Sequence, residues 1–384
     1  MNIENIDKYL IRYDLSTYDP YDVWKNKLGV KIKYFYYKNK YLSAIPVGSL
    51  FLYDIVNNRS RIGYKKQEYP IVRAQAALVL LSLYNRSREE IFLKFAKIHL
   101  NWLVDNSSKG YKGYCWGINF EWASKNGVYP KDMPHVTHTP YALEAMIKYE
   151  KLTGDKYFSH VVKSVFYFLE QDIKVMLDTD DMLAMSYAPV DEPRIVINAN
   201  SYIMYMYTLL LDYYPGKKDY ILGKIKRIYR FIVSHQKSDG SWLYYADDLS
   251  GNFIDCFHTA FVLKNMHKTN LAIELYECET YIQKGYEYII NNFYDNKKRL
   301  FKRFTLNDKP NLVAYDLYDN AEMLNILIII NDKDFANDLC ESISKNFVSG
   351  DDIYSKISKG GRLLDRNSLR WAVLPYLLAL SEMH

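Results

Sequence analysis

The segment 137-THTPYALEAMIKYEKL-152 carries the pattern that decides the fold of this chain. Its apolar residues surround the predicted helix on nearly all sides, which is typical of a helix buried between two layers. Similar segments begin near residues 70, 199, 257, 316 and 366, so successive members start 50 to 67 residues apart. This regular spacing indicates one structural unit that is repeated six times.

Helices that are apolar on one face only lie between these segments. Examples are 155-DKYFSHVVKSVFYFLEQDI-173 and 217-KKDYILGKIKRIYRFIVSHQ-236. One-sided helices belong in an outer layer, so the alternation predicts an all-α fold, an (α/α)6 toroid, over residues 66–384. The sequence shows five outer helices, and we expect an N-terminal helix to take the sixth outer position.

Residues 1–65 do not follow the repeat. The segments 31-KIKYFYY-37, 40-KYLSAIPV-47 and 49-SLFLYDI-55 are rich in aromatic and β-branched residues and are separated by short polar stretches. This composition favours strands. We therefore predict an N-terminal extension in which two or three short β-strands pack on the toroid without forming a separate domain.

Composition limits the possible functions. The chain has 384 residues, with 50 Lys and Arg against 45 Asp and Glu, and this small net charge does not indicate a nucleic-acid partner. The N-terminal 1-MNIENIDKYLIRYDL-15 has neither the apolar core of a signal peptide nor that of a membrane anchor. The four cysteines lack metal-type spacing. We predict a cytoplasmic protein with no transmembrane segment, cofactor or metal; the oligomeric state stays open.

Long loops precede the inner helices, and in a toroid such loops meet at one end of the ring. They carry aromatic rings that can stack on sugars and polar side chains that can bind hydroxyl groups, so we predict a carbohydrate cleft there. The candidate binding residues are Trp116, Asn119, Trp122, His135, His138, Tyr187, Arg194, Asn198, Asn200, Tyr202, Trp242, Tyr244 and Asp319.

The same loops carry candidate catalytic residues. A glycoside hydrolase needs one carboxylic acid and one carboxylate, and the candidates are Glu121, Asp191 and Asp255, with His258 beside the last. Glu121 stands between two aromatic residues, a setting that favours the protonated form of an acid catalyst. Asp255 is a candidate base or nucleophile, although helix capping is an alternative role for it.

Three other interpretations remain open. A uronate lyase or C5-epimerase would exchange a proton through histidine or tyrosine and hold the sugar carboxylate with Arg194 or asparagine. A non-catalytic glycan-binding protein would need only the aromatic cleft. A zinc site using Cys115 and Cys256 is disfavoured, because Cys256 directly follows Asp255 and their side chains diverge. Asp319 also fits a capping box with Glu322.

Several of these motifs resemble a known family. They are 115-CWGINFEW-122, 134-PHVTHTPYALEAM-146, 186-SYAPV-190 with 197-INANSY-202, 239-DGSWLYY-245 and 252-NFIDCFHTAFVL-263. In order and spacing they are similar to the VpsJ-like family of bacterial polysaccharide-biosynthesis proteins, in the six-hairpin α/α toroid superfamily shared with glycosidases and terpenoid cyclases. The resemblance covers about residues 70–265. It implies the toroid fold and an oligo- or polysaccharide substrate, free or lipid-linked, in exopolysaccharide or O-antigen metabolism.

Overall fold

The computed structural model describes residues 7–307 and 311–383, and these residues form a closed ring of helices. The inner helices are α4 (Pro70–Ser87), α6 (Thr139–Thr153), α8 (Ile197–Leu210), α10 (Cys256–Ala272), α12 (Leu317–Ile329) and α14 (Leu374–Glu382). Each packs against the next, and α14 packs against α4. Helix α4 is buried from Pro70 to Leu83, as expected of a helix between two layers. The predicted α/α toroid is confirmed.

The outer layer has the expected one-sided burial. Its helices are α5 (Glu90–Asp105), α7 (Ser159–Tyr167), α9 (Lys218–Ser234), α11 (Cys278–Phe293) and α13 (Lys333–Phe347). In α9, Ile221, Ile225, Ile228 and Ile232 are buried at spacings of three and four residues. No helix in the described part of the chain combines the length and apolarity needed to cross a membrane.

A short N-terminal helix, α1 (Asp7–Leu10), lies between α5 and the loop that follows α13. The hydroxyl of Tyr9 donates to the carbonyl of Asp351 at 3.0 Å, and His99 of α5 contacts the carbonyl of Leu10 at 3.1 Å. Helix α1 therefore joins the two ends of the outer layer, where we expected an N-terminal helix.

The strands predicted within residues 31–55 are wrong, because this region forms two helices. They are α2 (Lys27–Lys38) and α3 (Ala44–Asn57). The side chain of Asn26 caps α2 by accepting a hydrogen bond from the amide of Gly29 at 2.8 Å, and Pro46 lies in the first turn of α3. These local helix signals outweigh the strand preference of the aromatic and β-branched residues.

Short antiparallel strands occur in the loops instead. They are β1 (Trp122–Ser124), β2 (Gly127–Tyr129), β3 (Val175–Asp178), β4 (Leu183–Met185), β5 (Ile254–Asp255), β6 (Tyr294–Asp295), β7 (Leu300–Phe301), β8 (Phe304–Leu306), β9 (Val313–Asp316), β10 (Val348–Ser349), β11 (Asp352–Ser358) and β12 (Leu363–Arg366). Strand β11 is central to the one four-stranded sheet among them and pairs with β9, β10 and β12. The pairings brace the loops that precede the inner helices.

Two tryptophans hold the ends of outer helices. The indole of Trp116 donates to the carbonyl of Leu103 at 2.8 Å, and the indole of Trp242 donates to the carbonyl of Ile232 at 2.9 Å. Each carbonyl lies two residues before the end of its helix, in the last turn, where carbonyl groups lack a partner inside the helix. The carbonyl of Ile232 also accepts from the C-cap amide of His235 at 3.3 Å. Both tryptophans are buried in the core, so the prediction that they stack on a glycan is wrong.

A buried ion pair joins two inner helices and provides a test of the ring. Lys264 of α10 binds Glu322 of α12, with both side chains less than 10% exposed. We expect Glu322→Leu to lower the free energy of unfolding by about 3–5 kcal/mol, because it leaves a buried ammonium group without its partner. The double variant Lys264→Met/Glu322→Leu should recover most of this loss in urea denaturation. A double variant less stable than the single one would contradict this account.

Candidate active site

A cavity of about 500 Å³ opens at the end of the ring where the inner helices begin. Residues from the starts of α4, α6, α8, α10 and α12 line it, and α2 contributes one wall through Lys33 and Tyr37. The structure brings nine predicted residues together on it. They are Trp122, His135, His138, Tyr187, Asn198, Tyr202, Tyr244, Asp255 and His258.

Asp255 and His258 form the most ordered polar unit of the cavity. Asp255 is the N-cap of α10, and its Oδ1 accepts a hydrogen bond from the amide of His258 at 3.0 Å. Its Oδ2 lies 2.7 Å from Nδ1 of His258. Because a carboxylate only accepts, this contact places the imidazole proton on Nδ1 and leaves Nε2 as an acceptor. The cap thus fixes an oriented base.

Aromatic rings hold the His258 imidazole in place. The rings of Phe257 and Tyr244 lie 3.9 and 4.6 Å from it, and Tyr244 in turn stacks on Phe253 at 4.6 Å with planes 16° apart. Such contacts restrict ring rotation and offer flat apolar faces beside the base. This arrangement suits a sugar ring placed against Nε2.

A second pair of imidazoles comes from the loop before α6. His135 and His138 have ring centres 5.6 Å apart. Burial lowers the pKa of His135 to about 3 and the pKa of His138 well below its usual value, so both are neutral at physiological pH. Nδ1 of His135 and Oδ1 of Asn198 are buried without a hydrogen-bond partner in the described residues. The loop before α6 thus brings two uncharged imidazoles to the cavity.

Two arginines on the cavity were not singled out from the sequence. Nη1 of Arg303 donates to Asp316 at 2.5 Å, and its guanidinium group lies 4.8 Å from the ring centre of Phe257. Nη2 of Arg370 donates to Asp19 at 2.9 Å. Arg303 stands in the loop that precedes α12, and Arg370 lies in the helical turn Leu369–Val373 that leads directly into α14. Their positions just before inner helices were the available signal. Their remaining N–H groups supply the cavity with charged donors.

Hydrogen-bonded tyrosines form the floor of the cavity. The hydroxyls of Tyr141 and Tyr202 are 3.0 Å apart, and the ammonium group of Lys264 lies 3.4 Å from Tyr141. Desolvation raises the pKa of both tyrosines well above the usual value. A second cavity of about 320 Å³ lies on the other side of this pair. The floor is therefore a neutral, polar partition across the axis of the ring.

Two predicted carboxylates lie away from the cavity. Glu121 is exposed and borders a separate surface depression together with Asn119, whose amide donates to the carbonyl of Glu68 at 2.6 Å. Phe120 is buried and Trp122 is partly buried, whereas the side chain of Glu121 between them is exposed. Asp191 is also exposed. Neither carboxylate is placed to act beside Asp255.

Two predicted polar residues brace loops instead of facing the cavity. Arg194 forms a two-point ion pair with Asp247 and lies 3.8 Å from the ring centre of Tyr245. The buried amide of Asn200 accepts from the amide of Met185 at 2.8 Å and donates to the carbonyl of the same residue at 3.2 Å. The polar atoms of both side chains are thus engaged within the protein.

The observed role of Asp319 differs from both predicted roles, which were glycan binding and a capping box with Glu322. The N-cap of α12 is Asp316, whose side chain accepts from the amide of Tyr318 at 2.9 Å, so the predicted capping box is wrong. Asp319 is fully buried and accepts a hydrogen bond from the amide of Phe257 at 3.0 Å. Desolvation raises its pKa well above the usual value. It links α12 to the start of α10, directly behind the cavity.

Comparisons with known proteins show the fold. No family model and no curated protein sequence matches the chain. Among solved structures, a sugar epimerase from a ruminal bacterium has a TM-score of 0.62 at 14% identity, over 84% of this chain and 89% of the other. Cellobiose 2-epimerase from Bacillus thermoamylovorans has 0.65 at 12%, over 82% and 87%. A family 76 α-mannanase from Bacteroides thetaiotaomicron has 0.60 at 10%, over 82% and 86%. At these identities the likeness establishes the α/α toroid and no particular activity.

The two roles of Asp255 can be separated by substitution. In Asp255→Asn the amide oxygen still caps α10, so we expect the free energy of unfolding to change by less than about 1 kcal/mol, whereas Asp255→Ala should lose about 1–2 kcal/mol. The asparagine NH2 group would face Nδ1 of His258 and move the ring proton to Nε2. ¹⁵N NMR of His258 should show this tautomer change. An unchanged tautomer in Asp255→Asn would contradict the assigned hydrogen bond.

The buried histidines predict a dependence of stability on pH. Burial lowers the pKa of His99 to about 4 and that of His135 to about 3, whereas the unfolded chain takes up protons near pH 6.5. Stability should therefore fall as the pH drops below about 6.5, by about 1.4 kcal/mol per buried histidine at pH 5.5. Urea denaturation of His135→Gln should show a weaker pH dependence than the native chain; an equal dependence would contradict the burial argument.

Proposed function

We propose that this chain is a sugar epimerase that removes and returns a proton at the carbon beside the carboxylate of a uronate. The observation that carries this proposal is the Asp255–His258 unit, an oriented base that faces an aromatic cavity. General bases in enzymes are held in this way by a second group that fixes the tautomer. The cavity of about 500 Å³ is within the range of small-ligand sites.

The proposed reaction needs no group beyond the cavity residues. Nε2 of His258 takes the proton from carbon, and the imidazolium that results is stabilised by Asp255. The electron pair of the broken C–H bond moves into the carboxylate, which becomes an enediolate. Arg303 and Arg370 are placed on the cavity to donate hydrogen bonds to its two oxygens. Return of a proton to the opposite face completes the epimerisation.

The neutral imidazoles of His135 and His138 support the return step. They enter from the loop before α6, whereas His258 belongs to α10. In the return step, one nitrogen of such an imidazole gives its proton to carbon while the other nitrogen takes a proton from water, and the imidazolium of His258 releases its proton to solvent, so no net charge remains. Elimination by a lyase is the competing outcome, because it starts from the same enediolate.

The geometry gives less support to a hydrolase. Glycoside hydrolysis needs two carboxyl groups across the scissile bond. Asp255 is the one Asp or Glu among the described residues that line the cavity, and both of its oxygens contact His258. Sugar epimerases occur among proteins of similar fold, which supports an epimerase activity for this chain. The resemblance to polysaccharide-biosynthesis proteins supports a bacterial surface glycan, or its lipid-linked precursor, as the source of the sugar.

Deuterium exchange tests the proposed function. We expect the protein, incubated in D2O with a panel of oligouronates, to incorporate deuterium at C5 without chain cleavage, as followed by proton NMR. His258→Gln should reduce the exchange rate by about 100-fold or more, because general-base catalysis is lost. The matched control His160→Gln changes an exposed histidine, and Glu121→Gln changes a carboxylate outside the cavity; both should retain full exchange.

Other outcomes decide against the proposal. Absorbance near 230 nm would show an unsaturated product and identify a lyase. New reducing ends that depend on Glu121 would restore the hydrolase, and glycan binding without any exchange would indicate a binding protein.

A further inference from the structure

Helix α3 directs two of its polar residues towards the protein. Asp54 accepts a hydrogen bond from the hydroxyl of Tyr64 at 2.8 Å. Asn57 is only 4% exposed, and its amide donates to the carbonyl of Ile62 at 2.8 Å. A surface helix of a globular protein ordinarily buries its one apolar side. Helix α3 is apolar on nearly all sides: Val47, Leu50 and Ile55 are partly buried, and a second apolar side is left outside.

The apolar side of α3 faces solvent. Ile45, Leu52 and Val56 are 81%, 65% and 78% exposed, and their spacing of seven and four residues puts them on one face. Tyr41 and Leu42, just before the helix, are 94% and 69% exposed. Burial of each such side chain would be favourable by about 1.5–3 kcal/mol, and this stabilisation is absent while the side chain is in water. A continuous exposed apolar surface of this kind marks a binding surface.

The segment that carries this apolar face is rich in basic residues. Of the 50 basic and 45 acidic residues in the chain, nine basic residues and one acidic residue fall within residues 27–66. The exposed basic residues of this segment are Lys27, Lys31, Lys38, Lys40, Arg59, Lys65 and Lys66. The remainder of the chain is slightly acidic, so the positive charge is concentrated on the α2–α3 hairpin. A positive apolar surface is complementary to a negative apolar one.

We propose that the α2–α3 hairpin binds the surface of an anionic lipid bilayer, with the exposed face of α3 in the interfacial layer. Apolar residues on one face of a helix, with basic residues beside it, are the features of helices that lie in a membrane surface. At 14 residues α3 is too short to span a bilayer, so this binding is peripheral.

The charge also argues against a second copy of the chain as the occupant. A symmetric dimer through this face would place two such basic segments against each other without counter-charges. An anionic membrane instead supplies the missing negative charge. Because Lys33 and Tyr37 of α2 line the sugar cavity, a bound hairpin would hold the mouth of the cavity beside the membrane. The proposal stands on the hairpin alone and does not depend on the epimerase activity.

Vesicle sedimentation with the full-length protein tests the proposal. We expect the protein to sediment with vesicles that contain phosphatidylglycerol but not with pure phosphatidylcholine vesicles, and high salt should release it. The double variant Ile45→Glu/Leu52→Glu should weaken binding at least about tenfold, and Lys65→Glu/Lys66→Glu should weaken it as well. All of these side chains are exposed, so the unfolding midpoint and the exchange activity on soluble sugars should not change.

The matched control is Leu271→Glu. Leu271 is 73% exposed at the far end of α10, away from the hairpin, and its substitution should leave vesicle binding unchanged. The proposal is overturned if the native protein binds neither kind of vesicle or if the α3 variants bind as well as the native protein. It is also overturned if light scattering shows a dimer that Leu52→Glu dissociates, because the apolar face would then belong to a second copy.

Discussion

The common direction of the inner helices is the constraint on which the site depends. All six begin at the same end of a closed ring, so first-turn residues that are about 60 positions apart in the chain converge on one cavity. His138, Asn198, His258 and Tyr318 reach the cavity for this reason alone. Helix N-termini also direct a partial positive charge towards it, which favours an anionic ligand. Ring closure thus creates both the shape and the polarity of the site.

Asp255 connects the helical ring to the candidate base, His258. One carboxylate completes the first turn of α10 and orients His258, so the base is built into the start of the helix and not attached to a mobile loop. Behind it, Asp319 of α12 accepts the amide of Phe257 and fixes the same turn from the neighbouring inner helix. Because the contacts made by Asp255 and Asp319 are short and buried, the packing of the inner helices fixes the position of His258.

The sequence predicts the helical repeat well because burial on two sides leaves a strong periodic pattern, and it places Asp255 and His258 correctly at a helix start. Side-chain direction in the loops is harder to predict. Glu121 was expected to act as an acid in the cleft because its neighbours are aromatic, yet its side chain is exposed outside the cavity. Trp116 was expected to stack on a glycan but serves a helix end. The Arg370–Asp19 pair joins residues 351 positions apart, and no local pattern reveals such a contact.

The charge states of the cavity support a single proton acceptor among its histidines. Burial keeps His135 and His138 neutral by lowering their pKa, and it keeps Tyr141 and Tyr202 protonated by raising theirs. Protonation of His135 or His138 is therefore unfavourable, since an imidazolium at either position would lack a counter-charge. His258 differs because its Nδ1 contacts a carboxylate that can stabilise the imidazolium. In the proposed reaction, desolvation without a counter-charge and desolvation with one therefore give histidines opposite roles: His258 would take the proton, and His135 or His138 would supply one.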